Sequence, residues 1–363
     1  MKSHNRHIYL LPVLLLLFAA LACELPGQSA ASDLDRAATE TLQALATISA
    51  GTLQAIGDQE PEPTVPPPME ETPAPEATPT PTIVHVTWPD NPSGLSSFMT
   101  DRSTRALASE RRAIADNFDW NLLERPYTAE VMDYKEHIDI IRGELDLSSP
   151  WVYVTIFLEG SPPETSEVMY AVEIDLDIDG RGDWFIGGLV PPSSEWTTDG
   201  VRAWRDSNND VGGTIPLRSE SPQPAWNGYD ELVFDQGLGS DPDAAWIRRS
   251  PTHPDRVQLA FKHNLIGSDG SFMWGAWSDE GVKEAGWLDY NDHFTLDEAG
   301  SPAPGDYYPI MSLHLVDNTC RWGVGFTPDG TEPGVCFIPP TPTPTSPPPP
   351  TPTPTNTPIP PPK

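Results

Sequence analysis

The sequence is poor in cysteine and in positive charge, and its one long hydrophobic run is short. Three cysteines in 363 residues, none in a C-x-x-C pair, exclude zinc ribbons and thioredoxin-type redox motifs. Lys plus Arg number 21 against 53 Asp plus Glu. A surface of that sign repels nucleic acid and anionic lipid head groups, so neither is expected as a partner, whereas a divalent cation is. The apolar run Ile8–Ala20 falls short of the roughly 20 residues of a membrane-spanning helix. There is no G-x-S-x-G, H-E-x-x-H, G-x-G-x-x-G or P-loop, and His137, His253, His263, His293 and His314 are scattered without metal-ligand spacing. A glycoside-hydrolase carboxylate pair is not addressed by such a scan, because its spacing is spatial.

What is present begins with an export signal. Lys2 and Arg6 form a basic start, the apolar run follows, and small residues precede Cys23. The end of this segment, Ala20-Leu21-Ala22-Cys23, resembles the bacterial lipobox, with Ala20 standing where a larger aliphatic residue is usual. The resemblance implies cleavage after residue 22, acylation of Cys23, and a lipid anchor on the outer face of the bacterial cell membrane. With Cys23 so used, Cys320 and Cys336 are left as one pair. They bracket the loop "RWGVGFTPDGTEPGV", whose closure is worth about 3 kcal/mol on chain-entropy grounds.

Composition then divides the chain. Residues 1–22 are the signal. Residues 23–57 hold the lipidated N-terminus and a weakly amphipathic stalk helix over Ser32–Ile56, solitary or a short coiled-coil seam. Residues 58–82 are a Pro/Thr/Glu spacer, and residues 339–363, with fourteen prolines, are a Pro/Thr tail. Both tracts have the composition of extended, disordered chain. Residues 83–338 contain all twelve tryptophans and are the folded region.

In this folded region a single N-terminal helix is predicted over Asp101–Ala115, where Asp and Ser caps precede good helix formers. Its arginines are expected to pair with the domain's own acids. The remainder reads as nine short strands, "HIDIIRGEL", "WVYVTIFLEG", "EVMYAVEIDLDI", "DWFIGGLV", "GVRAWR", "ELVFDQG", "AAWIRR", "RVQLAFKHNLI" and "SFMWGAW", separated by Gly, Pro, Asp and Ser. The fold class is therefore all-β, an antiparallel β-sandwich with flanking Pro/Thr tracts. The succession "DIDIIRGELDL", "WVYVTIFLEG", "YAVEIDLDIDG" resembles the DOMON-like sandwiches and family 9 carbohydrate-binding modules over Ile138 to about Asp183. That resemblance implies a ligand-display module for sugar or haem. No residue matches a haem ligand, so the sandwich is what carries over.

One stretch invites a sharper reading. In "YAVEIDLDIDGRGDWFIGG" the residues Val172, Ile174, Leu176 and Ile178 point one way, and Glu173, Asp175, Asp177 and Asp179 the other. This describes a half-buried strand, a Gly180-Arg181-Gly182 turn and a hairpin partner in "DWFIGG". Carboxylates so close on one face repel, and either Arg142, Arg202 or Arg205 neutralises them or a cation does. Set against a calcium loop of the D-x-[DN]-x-[DN]-G type, Asp175, Asp177 and Asp179 fill positions one, three and five, Gly180 the turn, and Asp183 the ninth. Ile186 stands where an EF-hand needs its bidentate Glu. "WRDSNNDVGG" repeats the spacing with Asp206, Asn208 and Asp210, although Val211 replaces the turn glycine. Calcium is the expected cofactor of these loops. In "SFMWGAWSD" Phe272 and Trp274 face away from Met273 and Trp277, and one of these sets is expected outside the core, where Trp faces stack on sugar rings.

Three functions are consistent with this inventory: a lipid-anchored carbohydrate-binding module with calcium as a stabiliser, a structural or adhesive envelope protein, and an extracellular hydrolase working through carboxylates.

Overall fold

The structure, a computed structural model, describes residues 83–113, 115–165, 167–212, 226–267, 270–288, 290–300 and 310–339. The signal, Cys23, the stalk helix, the spacer and nearly all of the tail therefore lie outside the described residues. Among the described residues no helix is long and apolar enough to cross a membrane.

Two antiparallel sheets make up the fold. The five-stranded sheet runs β1 (Ser97–Thr100), β3 (Ile140–Ser148), β4 (Trp151–Leu158), β10 (Arg256–Lys262) and β9 (Ala245–Arg249), in that spatial order. The eight-stranded sheet runs β2 (Glu124–Arg125), β12 (Val316–Asn318), β11 (Phe272–Asp279), β5 (Met169–Asp175), β6 (Trp184–Leu189), β7 (Val201–Arg205) and β8 (Glu231–Asp235), with β13 (Trp322–Val324) also pairing β11. Among the described residues three one-turn α-helices accompany the sheets, α1 (His263–Ile266), α2 (Tyr290–His293) and α3 (Leu296–Ala299).

Period-2 alternation builds the core. Val152, Val154 and Ile156 of β4 and Val257, Leu259 and Phe261 of β10 face Tyr170, Val172 and Ile174 of β5 and Phe272, Trp274 and Ala276 of β11. Each such side chain contributes roughly 1.5–3 kcal/mol when fully buried. The predicted hairpin is present, with Val172 opposite Ile186.

The outer faces depart from expectation. Met169, Ala171, Phe185 and Trp277, on the far side of the eight-stranded sheet, are covered by a second apolar layer of Phe118, Leu123, Tyr229, Leu288, Tyr290 and Leu313. Both tryptophans of "SFMWGAWSD" are consequently buried, Trp274 in the sandwich and Trp277 under this layer. The residues that follow the spacer form a strap across the outer face of the five-stranded sheet. Asp243 accepts hydrogen bonds from Val86 N and Thr87 N and pairs with His85 at 2.8 Å, and Asp146 accepts from Ser93 N and Gly94 N.

The helix predicted over Asp101–Ala115 is present only as a 3-10 turn, Arg105–Glu110. Arg111, in the left-handed conformation, ends the turn, and its start is anchored by Asp139. The Asp139 carboxylate captures both the backbone N–H and the hydroxyl of Thr104, while Asp101 N extends the β1 pairing to Ile141 O. The arginines of this segment do pair with the domain's acids, Arg105 with Glu136 and Glu159 and Arg112 with Glu110.

Gly187 lies opposite Ala171 across β5 and β6, and a Cβ there would stand 2.4 Å from the Ala171 Cβ and 2.8 Å from Tyr170 O. Gly187→Val is therefore expected to lose about 1–3 kcal/mol or more by overpacking, read as a lower urea midpoint with the m-value unchanged.

Candidate functional site

The acidic stretch is held by an arginine that the sequence does not nominate. Arg321 is buried, and its Nη2 donates to Glu173 Oε1 at 2.6 Å. Its Nη1 lies 3.2 Å from Asp175 Oδ2 and donates to Gly180 O at 2.7 Å. Tyr229 OH and Trp277 Nε1 also donate to Glu173, so this acid is supported from several sides in a layer without bulk water. Burial opposes the guanidinium's charge, but Glu173 and Asp175 outweigh it and hold Arg321 firmly protonated. Burial lifts the Asp175 carboxyl to about 6, against the pull of Arg321 and of the Gly180 and Ile178 amides. The three arginines considered from the sequence serve elsewhere: Arg142 meets Glu144, Arg202 meets Asp235, and Arg205 meets Glu231.

Arg321 is itself positioned by the cystine loop. Cys320 and Cys336 are disulfide-bonded, and the Arg321 backbone pairs into the returning chain, its N–H donating to Gly334 O and its C=O accepting from Cys336 N. Gly182, expected only as a turn residue, is also required by close approach: a Cβ there would lie 1.8 Å from Tyr229 Oη and 2.6 Å from Glu173 Oε1.

The two calcium-loop look-alikes are the same turn built twice. Asp175 accepts from the amides of Ile178 and Gly180, three and five residues on. Asp206 accepts from those of Asn209 and Val211 at the same offsets, and from Asn208 N. Ile178 (φ 62°) and Asn209 (φ 58°) both take the left-handed conformation, which is unfavourable for a β-branched residue and is stabilised here by the aspartate. The turns are stitched together by Arg181 Nη1 to Asn209 O and by Asn209 Nδ2 to Asp179.

Of the acids predicted as ligands, Asp175, Asp177 and Asp183 each bring an oxygen within 4.8 Å of the others and could together hold a cation. Asp179 turns away to Asn209 and the Arg181 amide. The second loop does not join them: Asn208 and Asp210 bond to each other and to Asn227. A cation at the first group would compete with Arg321 for Asp175.

Beside these turns lies an open cleft of about 500 Å³, lined by Leu176, Asp183, Trp184, Arg205, Asp206, Ser207 and residues Asn264–Gly267 of α1 and its C-cap. Burial raises the Asp183 and Asp206 carboxyls, but each is engaged: Leu176 N donates to Asp183 and three amides to Asp206. The cleft thus presents carboxylate, guanidinium, hydroxyl and amide groups together with the apolar Leu176, Trp184, Leu265 and Ile266. Trp88, Trp120 and Trp287 are about half exposed, and their ring neighbours differ: Trp88 packs on Trp246, and Trp287 on His293 and Phe294. A second acidic group, missed from the sequence, gathers Asp101, Glu124 and Asp317 from three distant segments.

No protein-family model matches the chain, and no curated protein or solved structure is significantly similar to it.

Removing one partner of a buried ion pair costs about 3–5 kcal/mol, whereas apolar replacement of the whole group is close to neutral. Arg321→Met should therefore lose that much in chemical denaturation. Adding Glu173→Gln and Asp175→Asn to Arg321→Met should recover some of the loss, and strict additivity would show that the three do not form one unit.

Proposed function

We propose that this chain is an exported lipoprotein, anchored through Cys23 on the outer face of the bacterial cell membrane, whose β-sandwich binds carbohydrate without catalysis. The observation that carries the ligand is the cleft between the paired acidic turns and α1. Its walls mix acceptors (Asp183, Asp206), donors (Arg205) and groups of both kinds (Ser207, Asn264), the complement that a neutral, hydroxyl-rich molecule needs. The net charge of −32 opposes an anionic ligand and nucleic acid alike.

Binding is favoured over hydrolysis because the two carboxylates of the cleft serve as caps. Asp206 accepts three backbone amides and Asp183 a fourth, which leaves neither placed as a mobile acid or nucleophile. The resemblance to DOMON-like and family 9 carbohydrate-binding modules supports the same reading, as does the spacer, which at about 3.1 Å per residue of polyproline II would raise the domain roughly 75 Å. Calcium belongs to this reading as a structural ion. An envelope protein with no small ligand is the second reading, favoured by the cover over Trp274 and Trp277.

Two outcomes are expected. Cys23→Ser should move the protein from the detergent to the aqueous phase on Triton X-114 partition, and unchanged partition would exclude the lipid anchor. On an array of neutral polysaccharides the chain should bind at least one, with affinity lowered about tenfold or more by Asn264→Ala at unchanged melting temperature. Absence of binding across the array, or binding indifferent to Asn264, would favour the envelope reading.

A further inference from the structure

The acids of the first turn have Arg321. A second set of acids, gathered around the middle of β12, has no such partner among the described residues. Glu124 of β2 and Asp317 of β12 are directly opposite one another across their strand pair. Asp101, just beyond β1, brings a third carboxylate, and one oxygen from each of the three lies within 4.8 Å of the others. Like charges opposite one another on adjacent strands repel. These are also buried, Glu124 at 2% exposure and Asp317 at 0%.

The oxygens left over point to what is needed. Both carboxylate oxygens of Glu124, with Asp101 Oδ2 and Asp317 Oδ1, are buried and find no donor side chain or amide among the described residues. Asp139 Oδ1 shares that condition, and Asp139 adds its charge to the same group. The opposite oxygens of these aspartates are satisfied: Asp317 Oδ2 by Ile140 N, Asp101 Oδ1 by Arg102 N, and Asp139 Oδ2 by Thr104 and Tyr134. Each aspartate is thus fixed by one oxygen and presents the other inward.

No guanidinium donates to these inward oxygens. Arg125, next to Glu124 but on the other face of β2, is spent on Asp116, Ala299 O and Leu313 O, and Arg105 on Glu136 and Glu159. Unneutralised, burial and mutual repulsion push the Glu124 and Asp317 carboxyls well above the ordinary range. Groups of this kind are costly to bury unpaired, and a coordinated metal offsets that cost.

We propose that Asp101, Glu124 and Asp317, with Asp139 beside them, bind a calcium ion that ties the five-stranded sheet to the eight-stranded one. An all-oxygen, all-carboxylate donor set selects a hard cation over a transition metal. Calcium accepts bidentate carboxylates and flexible geometry at about 2.3–2.6 Å, with water completing six to eight ligands. Asp101 is only half buried and stands at the edge of the group, although its inward oxygen is buried. The ion is structural: it bridges β1 and the start of β3 to β2 and β12, where Ile140 N already donates to Asp317 across the sheets. This site is independent of the carbohydrate cleft, so failure of either leaves the other standing.

The test uses the mature chain from residue 23 with Cys23→Ser, stripped with EDTA and titrated with CaCl2 by calorimetry and by thermal melting. One calcium is expected to bind and to raise the melting temperature. Glu124→Gln, which keeps the shape of the side chain, should weaken binding tenfold or more and abolish the calcium-dependent rise, whereas Asp177→Asn should leave both unchanged. Should Glu124→Gln lack a native near-ultraviolet circular dichroism spectrum, the half-buried Asp101→Asn carries the same expectation. The proposal is overturned if the stripped chain neither binds calcium nor shifts its melting temperature up to millimolar CaCl2, which would mean that shared protons neutralise the group. Undiminished binding by Glu124→Gln and Asp101→Asn also overturns it, as does binding lost in Asp177→Asn alone.

Discussion

The ion pair of Arg321 with Glu173 and Asp175 connects parts of this structure that lie 146 and 148 residues apart in sequence. Its side chain neutralises the acidic edge of β5 and caps Gly180 at the hairpin turn. Its backbone is woven into the loop that the disulfide closes. The outer layer over the eight-stranded sheet depends on this: Tyr229 of that layer and Trp277 beneath it donate their polar atoms to Glu173. Remove the guanidinium, and two buried carboxylates are left in a layer that excludes the water needed to solvate them.

A wider rule explains how so acidic a chain folds. Its buried aspartates accept backbone amides at the points where the chain turns or crosses between elements. Asp175 and Asp206 close equivalent turns, Asp279 receives the amides of Gly281, Val282 and Lys283, and Asp243 and Asp146 hold the strap. A carboxylate with several amide donors is stable when buried, because each bond favours its charge. Glu124 breaks that rule, with no hydrogen-bond donor on either carboxylate oxygen. The contrast between Glu173 and Glu124, both strand residues and both buried, is the basis for placing a metal at one and not at the other.

The nine strands read from the sequence are all present, although the last four residues of "RVQLAFKHNLI" form α1 and not strand; each carries enough residues for period-2 alternation to register and each is bounded by turn formers. The remaining four, β1, β2, β12 and β13, are two to four residues long, too short for any period. Alternation placed Val172 and Ile174 on the core face correctly, whereas Leu176 is only partly buried at its edge and Ile178 belongs to the turn. Nor could it show that the opposite face is also covered. That cover comes from loops, whose apolar residues Leu288, Leu313 and Tyr229 have no periodic pattern. The turn chemistry of "DLDIDG" was legible as spacing, whereas its counter-charge, Arg321, lies 146 residues from Asp175. The group of Asp101, Glu124 and Asp317 was not legible for the same reason: strand pairing, not spacing, brings these residues together.

The most direct measurement is a crystal structure of the mature chain grown in calcium chloride, with diffraction collected at long wavelength to locate calcium by its anomalous signal. The expected result is the Arg321 guanidinium seated between Glu173 and Asp175, with no anomalous peak at that turn. A calcium peak among Asp175, Asp177 and Asp183, with Arg321 displaced into solvent, would contradict the central role of this ion pair.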